Sequence, residues 1–312
     1  MAQTFFPITP TEVTPGLTGW QVVDVSGSIP VGATGVILHY ENFNTTSDVG
    51  LRKNGSTDER YLATYAHSHS WAMIGVDGDR IFEARIGDTG DDRIYLVGYT
   101  KAGVTFKTNA DDMSLGDTGS WQPIDCSTEA PSAIGLIFDI ANAGGSADGG
   151  FRKNGSSDDR HTDFHYHSDL GAIIGCDGEQ ICEGYIQNTD IDFFLVGYIT
   201  DGCTFNTNAT DVSLGSTGEY LDLTALPDEN PNMGFIEVSS TSGYMYGLRK
   251  NGQSGGYYDI YQDAYDHPWA IVECDANRVI EGKIESTSVD FFVVGYSIAV
   301  VVVGRSFGFI IG

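Results

Sequence analysis

The run Leu51-Arg52-Lys53-Asn54-Gly55-Ser56 occurs three times in this chain. It returns as Phe151-Arg152-Lys153-Asn154-Gly155-Ser156 and as Leu248-Arg249-Lys250-Asn251-Gly252-Gln253. A second signature, Leu96-Val97-Gly98-Tyr99, returns as Leu195-Val196-Gly197-Tyr198 and Val293-Val294-Gly295-Tyr296. Both recur at about a hundred residues, so the chain is a threefold tandem array. Whatever one copy folds into, the other two must also fold into. Within 312 residues, each copy is long enough to bury a core of its own.

Asn-Gly between apolar runs predicts a tight type I′ turn with both residues at positive φ. Asp77-Gly78, Asp177-Gly178 and Asp275-Ala276-Asn277 predict a second turn downstream. Short β-rich stretches lie between the turns; in the first copy they include Trp20 to Val25, Gly35 to Phe43, Trp71 to Val76, Ile81 to Ile86 and Ile94 to Tyr99. Alternation is plainest after the second turn. Phe82, Ala84 and Ile86 are expected to face inward, with Ile81, Glu83 and Arg85 outward. Cys182, Gly184 and Ile186 take the inward places in the second copy, and Ile280, Gly282 and Ile284 in the third. The outward Glu83, Glu183 and Glu281 can pair with Arg52, Arg152 and Arg249. With 40 glycines, 9 prolines and no amphipathic helix, the expected fold is all-β. The expected layout is an N-terminal arm over residues 1–15, then three tandem β-sandwich, jelly-roll-like domains over 16–114, 115–213 and 214–312. The near-identical joints Thr105-Phe106-Lys107-Thr108-Asn109-Ala110 and Thr204-Phe205-Asn206-Thr207-Asn208-Ala209 predict that each copy seats on the next in one way.

The formal charge is −27, from 43 acidic and 16 basic residues. That argues against a nucleic acid or an anionic membrane as partner. No run of about 18 apolar residues is present. Residues Met1 to Pro7 lack the basic-then-apolar order of a secretory signal, so synthesis in a host cytoplasm is expected. Each of the five cysteines stands where another copy has an apolar residue: Cys126 for Val25, Cys176 and Cys274 for Val76, Cys182 for Phe82, Cys203 for Val104. They read as buried free thiols rather than a disulfide frame or a zinc site. No GxSxG, Walker, HExxH or Rossmann pattern is present, and the expectation is a protein that is not an enzyme and has no cofactor.

One constellation stands out. His161, Asp163, His165, His167 and Asp169 are spaced by two, so an extended segment projects all five from one face. The matched residues are Tyr61, Ala63, Tyr65, His67 and His69 in the first copy, and Asp259, Tyr261, Asp263, Tyr265 and His267 in the third. Three readings stay open. The histidines and aspartates of the second copy can share a Zn²⁺ or Ca²⁺ ion. Tyrosine rings with aspartate acceptors can bind surface glycans. Or the ribbon is a solvated or interdomain face.

The third copy ends unlike the others, in Val300-Val301-Val302-Val303-Gly304-Arg305-Ser306-Phe307-Gly308-Phe309-Ile310-Ile311-Gly312. An apolar, β-prone segment of this kind needs cover. Phe307, Phe309, Ile310 and Ile311 are the expected assembly residues, buried against a second copy of the chain.

The run Gly-Leu-Arg-Lys-Asn-Gly-Ser, followed by Trp-Ala-Met-Ile-Gly-Val-Asp, Arg-Ile-Phe-Glu and Tyr-Leu-Val-Gly-Tyr, resembles uncharacterised tandem-repeat structural proteins of tailed phages and environmental viral sequences. The resemblance covers all three copies. It implies a self-associating virion component, such as a capsid decoration, fibre or surface protein, in contact with other virion proteins. A glycan-binding attachment protein is the alternative class.

Overall fold

A computed structural model of the chain describes residues 3–44, 46–64, 67–164, 169–223, 226–227, 230–240, 242–254 and 267–299. Twenty-three strands and no helix are found among them. The first unit holds β1 (Phe5–Glu12), β2 (Gly19–Asp24), β3 (Gly35–Asn42), β4 (Ser47–Lys53), β5 (Leu62–Thr64), β6 (Ser68–Gly75), β7 (Ile81–Ile86) and β8 (Asp92–Thr100). The second holds β9 (Val104–Asp112), β10 (Gln122–Asp125), β11 (Gly135–Asn142), β12 (Ala147–Lys153), β13 (Thr162–Phe164), β14 (Asp169–Gly175), β15 (Ile181–Ile186) and β16 (Ile191–Ile199). The third holds β17 (Cys203–Asp211), β18 (Leu221–Leu223), β19 (Pro231–Ser240), β20 (Tyr246–Lys250), β21 (Trp269–Glu273), β22 (Ile280–Ile284) and β23 (Val289–Ile298).

The all-β content is as expected, but the picture of three tandem jelly-roll-like sandwiches needs correction. The strands form six small sheets, two to a unit, closed in a propeller-like ring of six blades. One sheet of each unit, called inner here, runs β1-β8-β3-β6, β9-β16-β11-β14 or β17-β23-β19-β21. The other, outer, runs β2-β7-β4-β5, β10-β15-β12-β13 or β18-β22-β20. The order within a blade is not sequential, unlike a propeller meander, because the chain crosses between the two sheets of its unit at most connections. The inner sheets meet at the centre through β6, β14 and β21. There the backbones come close: a Cβ on Gly171 would lie 2.4 Å from the Trp71 carbonyl oxygen. Strand β3 is buried at all eight positions, and the Phe106 ring of the following strand β9 lies against its Gly35. Radial closure therefore leaves none of the units standing as a self-contained module.

The unit boundaries also move. Joint strands β9 and β17 belong to the sheet of the unit that follows them, pairing with β16 and β23. Residues 5–12, expected to lie in an arm, form β1, which pairs with β8 in the equivalent edge position. Phe106 explains how a joint locks two units. It pairs with Gly197 of the second unit, while a Cβ on Gly35 of the first would lie 2.1 Å from its ring. Phe205 sits in the same way against Gly135, at 2.3 Å. In the third unit, register places Met233 and Glu273 where the others have the pairs Gly35–Gly75 and Gly135–Gly175. Correspondingly, β1 has Pro7 opposite Gly98, where β9 has Phe106 opposite Gly197.

The Asn-Gly turn also differs from expectation. Only the glycines, Gly55, Gly155 and Gly252, have positive φ, with 82°, 81° and 76°. That is the pattern of a type II turn rather than type I′. The asparagine side chain instead reaches the second turn: Asn251 Nδ2 donates to Asp275 Oδ2 at 3.0 Å, Asn54 to Asp77 at 2.5 Å, and Asn154 to Asp177 likewise. The two turn signals thus form one structure in every unit.

Candidate functional site: three aromatic platforms on the outer sheets

Strands β2, β7 and β4 lie side by side, so Trp20, Arg85 and Gly50 stand in a row. With no side chain at Gly50, Trp20 lies across the sheet; a Cβ there would be 2.9 Å from the indole Cη2. The Arg52 guanidinium stacks 4.0 Å from the indole centre. It is fixed there because Arg52 Nε donates to Glu83 at 2.5 Å and Nη1 to Glu59 at 2.9 Å. The indole Nε1 donates to the other oxygen of Glu59 at 2.9 Å. Arg52 and then Trp20 hold the Glu59 carboxyl below its usual range. Tyr61 closes the cluster, with Arg85 stacked on its ring at 3.7 Å.

The second unit repeats the plan. Arg152 stacks on Trp121 at 4.3 Å and pairs with Glu183 at 2.7 Å. Trp121 Nε1 donates to Asp159 at 2.8 Å. His161 stacks flat on Tyr185 at 3.9 Å and approaches Asp148 at 3.3 Å. In the third unit Arg249 stacks on Tyr220 at 3.7 Å and pairs with Glu281 at 2.6 Å. The outward Glu–Arg pairs are those expected from alternation. Trp20, Trp121 and Tyr220, all partly exposed, were missed by the sequence reading. The signal was present, since each follows a Thr-Gly pair: Thr18-Gly19, Thr118-Gly119 and Thr217-Gly218.

Among the described residues the His/Asp ribbon does not form one face. The chain leaves the outer sheet after β5 or β13 and enters the inner sheet at β6 or β14, so the residues part company. Tyr61 and His161 belong to the platforms, and Asp163 lies on β13 opposite Asp148. His67 is exposed with φ of 63°, which breaks an extended run. His69 and His267 are buried at junctions between units. Tyr65, His165, His167, Asp259, Tyr261, Asp263 and Tyr265 lie outside the described residues, as does the Asp169 side chain. Among the described residues no group of three His, Cys, Asp or Glu side chains is placed to hold a metal ion.

The buried members form a second recurring arrangement. Arg60 of the first unit donates to Asp139 of the second at 2.8 Å and stacks 4.7 Å over Phe194. Arg160 grips Glu237 of the third unit through two bonds, at 2.9 and 2.7 Å, and stacks over Phe292. His267 adds a contact to Glu237 at 2.6 Å. Burial alone would raise the Glu237 carboxyl, but the His267 and Arg160 contacts outweigh it and hold it low. At the junction of the third unit with the first, register puts His39 in the place of Asp139 and Glu237. His39 meets His69, whose ring packs on Tyr246 of the third unit at 4.4 Å. All five cysteines are buried and free, and burial pushes the thiols of Cys126 and Cys176 up to about 12.

No protein-family model matches the chain, and a search of curated proteins returned no similar sequence. A virion or bacteriophage role therefore gains no support from relatives, and the sheet arrangement corrects the jelly-roll expectation.

Proposed function

We propose that this is a non-enzymatic binding protein, a rigid ring that presents three aromatic–arginine platforms to a glycan-bearing surface. The observation that supports it is recurrence: Trp20, Trp121 and Tyr220 occupy the same outer-sheet position, each partly exposed and each held against an arginine by a fixed ion pair. An aromatic face offers apolar stacking area at little conformational cost when it is already immobilised. Carboxylates at the rim, Glu59 at 65% exposure and Asp159 at 76%, are free to accept hydroxyls on their solvent side. Three weak sites on one rigid body gain avidity for a surface that repeats its ligand. A glycan array probed with wild type and with the Trp20→Ala, Trp121→Ala, Tyr220→Ala triple variant tests this. Binding is expected to be lost in the variant, and an unchanged array profile would overturn the reading.

The self-associating virion component remains a second proposal. It is supported by the repeat motifs and by the apolar residues Phe307, Phe309, Ile310 and Ile311, which lie outside the described residues. Light scattering on a chain lacking 306–312 tests it. Loss of assembly supports it, and normal assembly removes it.

A further inference from the structure

The three platforms are built alike but differ at one position. Beside the platform aromatic, on the neighbouring strand, stand Arg85 in the first unit, Tyr185 in the second and Lys283 in the third. In the first unit Arg85 covers Tyr61 and reaches Asp48 at 3.4 Å. In the third, the Lys283 ammonium lies 5.7 Å from the Tyr220 ring. These two platforms thus carry a second cation in addition to the stacked arginine, whereas the second unit has an uncharged ring at this position and Arg152 as its stacked cation.

We infer that the second platform is a site for a neutral pyranose and that Tyr185 sets this preference. The inference rests on the binding reading above. Tyr185 and His161 stack as one slab, 11° from parallel, and Trp121 stands beside it at 5.7 Å, tilted by 57°. The two surfaces make an aromatic corner. A pyranose has apolar C–H faces and a rim of hydroxyls; one C–H face lies on the slab while an edge meets the indole. The hydroxyls then point to Asp159, 76% exposed, and Asp148, 40% exposed, which are acceptors when ionised. An acidic sugar fits poorly. These carboxylates repel it, and the nearby cation, Arg152, is already engaged by Glu183 and by the Asp158 carbonyl.

The first unit also supplies a safe probe, because it shows that an arginine is accommodated opposite the platform indole. Saturation-transfer NMR and tryptophan fluorescence on the full chain, with methyl β-glucoside, methyl β-galactoside and methyl glucuronide as probes, test the assignment. Wild type is expected to bind a neutral glycoside in preference to the glucuronide. Tyr185→Arg is expected to weaken that binding about ten-fold, the size of one lost aromatic contact, with the melting temperature little changed. Arg85→Tyr combined with Tyr61→His is expected to add a second neutral-sugar site. Unchanged binding in Tyr185→Arg, or a preference for the glucuronide, overturns the inference. Binding lost in Trp20→Ala but kept in Trp121→Ala overturns the assignment to the second unit while leaving the broader reading standing. Silence on the glycan array removes both.

Discussion

His39 Nε2 lies 3.1 Å from His69 Nδ1, and both rings are buried where the third unit meets the first. The other two junctions hold a guanidinium and a carboxylate at the corresponding place. Here two imidazoles stand in that place. Burial, then the neighbouring His69, holds His39 well below its usual range. Burial pushes His69 down to about 3. Nearby Glu41, 3.5 Å from His39, is pushed up to about 7 by burial, with Arg93 pulling the other way.

This arrangement makes the junction sensitive to acid. A histidine whose folded pKa is depressed takes its proton more readily once unfolded, so stability falls as pH drops below about 6.5. Glu41, with a raised folded pKa, works in the opposite sense, so the comparison must isolate one ring. Between pH 6.5 and 4.5 the stability of wild type is expected to fall relative to His69→Gln by about 2.5 kcal/mol. Urea unfolding at the two pH values measures it, and a constant difference would contradict the burial of a neutral His69.

Glu237 is fully buried and depends on Arg160. Arg160→Met is expected to cost about 3 to 5 kcal/mol, because the buried carboxylate loses its guanidinium and keeps only the His267 contact. Arg160→Met with Glu237→Met is expected to recover much of that loss. If the double variant melts no higher than the single one, the cost lies in packing over Phe292 rather than in the orphaned charge.

Gly35→Ala places a Cβ in the Phe106 ring. Overpacking of this kind costs about 1 to 3 kcal/mol. Phe106→Leu in the same chain is expected to return part of it. Denaturant midpoints of the three variants are the measurement, and additive losses would show that the two residues are not in contact.

The thiols offer a simple check on the core. Cys126, Cys176, Cys182, Cys203 and Cys274 are buried, and burial raises each thiol above its usual value. Ellman's reagent at pH 8 is expected to react with none of them in the native chain within minutes, and with all five in denaturant. Rapid native labelling would place a cysteine on the surface.

Local features were legible in the sequence. Alternation in Ile81 to Ile86 gave the buried Phe82, Ala84 and Ile86 and the outward Glu83 that pairs with Arg52. Copy-to-copy comparison placed the cysteines in the core. Long-range features were not legible. Nothing in Thr105-Phe106 says that the strand pairs with one unit while its ring plugs another, because pairing partners lie outside any local window. The spacing of His161 to Asp169 suggested one face, but spacing does not reveal where a chain changes sheets. Trp20 was read only as part of a strand, because its importance depends on Gly50, which lies two strands away in the sheet.

Strand β1 bears on the order of folding. The Phe5 carbonyl accepts a hydrogen bond from Asn232, 227 residues further along, and its ring packs against Phe235. During synthesis this strand precedes β19, its neighbour from the third unit, by more than two hundred residues. The circle can therefore seal only as a late event, after the third unit has left the ribosome. Until then the flank of β1 that will meet β19 stays open to chaperones or to other nascent chains.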